Sequence, residues 1–66
     1  MGEYVDALEE VYDAVMDAER SVRRALRFIE DLSFEEIEAQ LEQVGRQLRR
    51  IRIAVSDEIE DLGGEY

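Results

Sequence analysis

No cysteine, histidine, lysine, tryptophan or proline occurs in this chain of 66 residues, and glycine occurs only four times. Each absence removes a class of explanation. Without Cys there is no disulfide to brace a small fold, and without Cys or His there is no ordinary zinc site. The Glu-x-x-His ligands of a di-iron bundle cannot exist. Ser21, Ser33 and Ser56 have no partner base that spacing identifies, and no glycine-rich loop precedes a helix in a phosphate-binding pattern. The sequence therefore predicts neither enzymatic activity nor a cofactor or bound metal. The longest apolar run is three residues, against the roughly 18 needed to cross a bilayer. With no signal-like start, the expectation is a soluble, cytoplasmic protein that makes no membrane contact.

What is present is charge and helix periodicity. Eighteen acidic residues stand against eight basic ones, all arginine, for a net charge of −10. Such a chain repels nucleic acid and anionic membranes and attracts a basic protein. At 45% apolar it is too hydrophobic for an acidic disordered tail. A single domain of residues 1–66 is expected, below the size at which one core supplies more than about 3–5 kcal/mol. Oligomerisation is the remaining common support.

Apolar residues recur at Tyr4, Leu8, Val11, Val15, Ala18, Val22, Ala25, Ile29 and Leu32, in alternating steps of four and three. This is a coiled-coil heptad seam, with Leu8 at a and Val11 at d. A second seam runs through Phe34, Ile37, Leu41, Val44, Leu48, Ile51 and Val55, with Leu41 at a, before Glu58 interrupts it. The seams disagree in phase by nearly half a helix, so one straight helix cannot serve both. The chain should turn, giving an all-α antiparallel hairpin with helices about 3–30 and 34–62 and a frayed tail at 63–66.

The stretch Asp31-Leu-Ser-Phe-Glu-Glu-Ile-Glu38 supports that turn without proline or glycine. Ser33 and Glu36 match a capping box, and Leu32 and Ile37 occupy the staple positions around it. Ser33 is thus the expected N-cap. Folding there pairs each a with a d: Val11 with Val55, Val15 with Ile51, Ala18 with Leu48, Val22 with Val44, Ala25 with Leu41 and Ile29 with Ile37. Asp17 and Glu19 would then approach Arg46 and Arg49, and Arg24 and Arg27 would approach Glu42 and Glu38.

One hairpin buries one seam, yet the apolar face is wider than that. Val5, Tyr12 and Leu26 at e, Ala14 and Phe28 at g, and Ala54 and Ile59 on the second helix extend it. The expectation is dimerisation into a four-helix bundle. The interface would draw on Val5, Leu8, Tyr12, Val15, Val22, Leu26, Phe28, Ile29, Leu41, Leu48, Ile51, Val55 and Ile59. The function expected is a self-associating hairpin for protein–protein interaction or assembly. The alternative is an acidic regulator, an antitoxin or nucleic-acid mimic, docking on a basic protein.

Further surfaces stand out. Met16 at b and Ile53 at f lie off both seams. Arg20, Arg24, Arg27, Arg46, Arg49 and Arg50, with Arg23 and Arg52, form a basic band across an acidic rod. The open end gathers Glu3, Asp6, Glu9, Glu10 and Asp13 with Asp57, Glu58, Glu60, Asp61 and Glu65, either a solvated end or a cation or docking site. Gly45 at e costs roughly 1 kcal/mol relative to Ala, with close helix approach as one reason for it.

The paired helices of similar length resemble the Rop family of plasmid regulators, helical-hairpin dimers that bind paired RNA loops. That likeness implies a dimer and RNA contact through the arginine band. The segment Ser33-Phe-Glu-Glu-Ile-Glu-Ala-Gln-Leu-Glu-Gln-Val44 is similar to the first helix of the exonuclease VII small subunit family, accessory subunits also built on helical hairpins. It covers about a dozen residues, and the Gly-Glu-Leu-Pro-type linker of that family is missing.

Overall fold

The computed structural model describes residues 2–62, and the tail expected to fray lies outside them. Helix α1 spans Gly2–Ile29 and helix α2 spans Glu35–Asp61, with a single 3₁₀ turn, Glu30–Leu32, closing α1. The helices pack antiparallel along a rod whose backbone measures 48 × 15 × 14 Å. There is no strand among the described residues, and no helix is long and apolar enough to cross a membrane. The hairpin and its helix bounds follow the two heptad phases to within one or two residues.

The turn forms by a different device from the capping box. Ser33 adopts the left-handed conformation, φ 60° and ψ 34°, as the residue that stops the 3₁₀ turn. Phe34, not Ser33, occupies the N-cap of α2, and no side chain caps it. The first helical bond runs from the Glu38 amide to the Phe34 carbonyl at 2.9 Å. Glu35, Glu36 and Glu38 still place negative charge on the positive end of the helix. A left-handed L-residue costs on the order of 1 kcal/mol, and it lets a two-residue link reverse the chain without glycine.

The seam also differs from the expected one. Val22 faces Gly45, where an added Cβ would lie 3.6 Å from Val22 Cγ1, instead of facing Val44. This one-residue change of register rotates both helices, so that rows a and e, not a and d, meet. The burial pattern follows it along both helices. Val5, Leu8, Tyr12, Val15, Val22, Leu26 and Ile29 are half-buried on α1, as are Leu41, Gly45, Leu48 and Val55 on α2. Ile59, at 8% exposure, is the one buried hydrophobic residue among those described.

The rotation has an electrostatic partner. Glu19 and Arg52 both sit at e, and Arg52 Nε donates to Glu19 Oε1 at 2.6 Å across the seam. That hydrogen bond raises the arginine pKa above its ordinary value against the opposing effect of desolvation, and Tyr12 adds a smaller push in the same direction. Arg52, like any arginine, is charged at working pH. The two carboxylates expected beside Arg46 and Arg49 are engaged elsewhere: Glu19 holds Arg52, and Asp17 holds Arg20 of its own helix at 2.9 Å. No other ion pair, including the expected pairs of Arg24 and Arg27 with Glu42 and Glu38, forms among the described residues.

Candidate interaction surfaces

Putting a and e in the seam leaves the large side chains of row d outside it, while Ala18 and Ala25 of the same row are half-buried. Tyr4 and Val11 on α1, Leu32 in the 3₁₀ turn, and Ile37, Val44 and Ile51 on α2 are all exposed. Since the helices are antiparallel and use the same two rows, the rotation that exchanges them keeps their d rows on one side of the hairpin. The opposite side confirms this placement. There Arg23 of α1 and Glu42 and Arg49 of α2, all row b, line one shared groove of about 320 Å³ around Gly45.

The side that carries row d is flanked by row g, and its composition is distinctive. From Tyr4 through Leu32 and from Phe34 through Val55, rows a, d and g hold no charged residue. The large side chains there include Phe28, 69% exposed, with Leu32, Phe34, Ile37, Val44 and Ile51. Small residues, Ala7, Ala14, Ala18, Ser21, Ala25 and Ala54, alternate with them. Charge enters this face only near the open end, at Glu58 and Asp61. The result is an uncharged, mostly apolar face about 40 Å long at 1.5 Å per residue, interrupted by the polar Ser21, Gln40 and Gln47 of row g.

Residues expected at an oligomer interface divide between the two surfaces. Val5, Leu8, Tyr12, Val15, Val22, Leu26, Ile29, Leu41, Leu48, Val55 and Ile59 line the seam within the chain. Phe28 and Ile51 lie on the open face. The row a members border both, so they are half-covered and retain an edge toward the open side. The e residues Val5, Tyr12, Leu26 and Ile59, expected to widen the outward face, instead close the hairpin. Val11, Val44, Leu32 and Ile37, expected inside the seam or at its cap, are the residues left outward.

The reverse side is polar. All eight arginines fall in rows b, c, e and f, none on the apolar face. Arg23, Arg46 and Arg49 surround the Gly45 groove with Glu19 and Glu42, and Arg46 and Arg50 line a second, smaller groove with Gln43 and, at the edge toward row g, Gln47. Arg20, Arg24 and Arg27 are exposed on α1. Ile53 is exposed in row f and Met16 is half-buried in row b, so neither joins a continuous apolar patch. Gly45 does not mark a tight contact, because 3.6 Å leaves room for a methyl group. At the open end, no group of three carboxylates among the described residues converges as a metal site.

Comparison with protein families, with curated proteins and with solved structures gives no match to this chain. The surfaces must therefore be read from their own chemistry.

Proposed function

We propose that this protein is a non-enzymatic assembly module, a helical hairpin that self-associates through its uncharged face to form a four-helix bundle. The observation that carries the reading is the segregation of charge. With 26 charged residues in the chain, an uncharged face spanning most of both helices is expected where that face is covered. The same heptad rows on both helices make the face self-complementary, the condition for a symmetric pair.

Area supports the same reading. The chain presents 5350 Å² of accessible surface, whereas a compact monomer of 7.7 kDa would present roughly 4300 Å². The excess, about 1000 Å², is comparable to the ~800 Å² that each partner buries in a stable complex. Sedimentation equilibrium tests the proposal. A dimer at micromolar concentration and moderate salt is the expected result, and a strict monomer at high concentration would overturn it.

A second reading rests on the open end of the rod. Outside residues 20–52 every charge is acidic, which favours docking of a basic protein by long-range attraction. Capture of such a partner at low salt and its loss at high salt would support that reading, and capture indifferent to salt would count against it.

A further inference from the structure

The proposed dimer can be built in two ways, and the charges on the apolar face distinguish them. Two hairpins joined face to face by a two-fold axis have their turns either at the same end of the bundle or at opposite ends. Resting on the self-association proposed above, we infer that the second copy docks with its turn at the opposite end.

Glu58 and Asp61 carry the argument, being the only charges of the described residues in rows a, d and g. If the turns shared an end, both copies would bring these two carboxylates to the same end of the closed interface. No arginine lies on that face to offset them, and four like charges brought together at one end of the interface repel one another. Around them each open end adds Glu3, Asp6, Glu9, Glu10, Asp13, Asp57 and Glu60, all in rows b, c and f. With turns at opposite ends, the two open ends stand apart by most of the 48 Å rod, several times the roughly 8 Å screening length of physiological salt, and each meets instead a turn end with fewer acids, Glu30, Asp31, Glu35, Glu36 and Glu38, partly offset by Arg24 and Arg27.

With one copy reversed, Glu58 and Asp61 sit at the rim beside the partner's turn end, away from their own copies.

The absence of native cysteine permits a direct test by spin labels on the full chain. A nitroxide on Ser33→Cys should give a label-to-label separation above about 35 Å, approaching the rod length, and Glu3→Cys should do the same. Mixing the two labelled variants should produce separations of about 20 Å or less, the width of two packed helices. Short separations in Ser33→Cys alone and in Glu3→Cys alone would overturn the orientation while leaving the dimer standing. A labelled protein that sediments as a monomer at both positions would overturn the self-association itself. Labels at both ends keep the result readable should one substitution disturb the turn.

Discussion

Ile51 and Ile53 are two residues apart on α2 and equally exposed, each at 47%, yet they stand on opposite sides of the hairpin. Ile51 belongs to row d, in a face with no charge from Phe34 through Val55. Ile53 belongs to row f, which it shares with Arg46 and Glu60. Exposure alone cannot tell an interface residue from an incidental one, because most soluble proteins expose some isolated apolar side chains. The surrounding charge can. A face kept free of ionised groups is one that can be desolvated at small cost, and a face interleaved with arginine and glutamate is not.

The largest effect should come from exploiting that contrast. Ile51→Glu places a carboxylate in the proposed interface, where an uncompensated charge costs about 3 kcal/mol, so dimer affinity should fall by about 100-fold or more in sedimentation. Ile53→Glu should leave it unchanged within about 0.5 kcal/mol. Equal effects of the two substitutions would remove the distinction between the faces.

Next in size is the seam within the chain. Leu48→Ala removes a half-buried side chain between the helices and should lower unfolding stability by about 2 kcal/mol, read as an earlier midpoint in urea. Smaller changes of opposite sign are expected at two backbone positions. Ser33→Gly relieves the left-handed residue of the turn and should stabilise by up to about 1 kcal/mol. An N-cap serine would instead lose a few tenths on the same change. Gly45→Ala should also stabilise by about 1 kcal/mol, since the added methyl meets Val22 at ordinary contact distance and improves helix propensity. Thermal melting checks both, and a drop at Gly45→Ala would mean that the groove must stay open.

The fold was legible because two heptad seams in conflicting phase leave a short chain no other way to bury both. The helices end where that conflict falls, near Leu32. The turn chemistry was not legible in the same way. Ser33 and Glu36 have the spacing of a capping box, but the box requires Ser33 in an extended conformation, and the 3₁₀ turn before it places Ser33 in the left-handed region. Local sequence was overridden by the need to reverse the chain in two residues.

Register was equally hard to read, for a physical reason. Rows a, d, e and g all carry apolar residues, so hydrophobic spacing alone does not say which pair of rows closes the hairpin and which faces outward. The distinguishing signal lies in charge. Glu19 and Arg52 are oppositely charged residues in row e, able to bond across an a/e seam, and rows d and g carry no charge from Tyr4 through Val55. That asymmetry is present in the sequence. It becomes decisive only once Val22 is seen against Gly45.

A second copy on the row d side would cover Ile51 and leave the arginine side, with Ile53, in solvent. Hydroxyl-radical footprinting at rising protein concentration distinguishes the two sides, with Ile51 and Ile53 as paired reporters of equal starting exposure. As the concentration passes through the dimer dissociation constant, the reactivity of Ile51, with that of Val44 and Phe28, should fall several-fold while Ile53 stays constant. Reactivity of Ile51 and Ile53 that remains equal at every concentration would contradict the account.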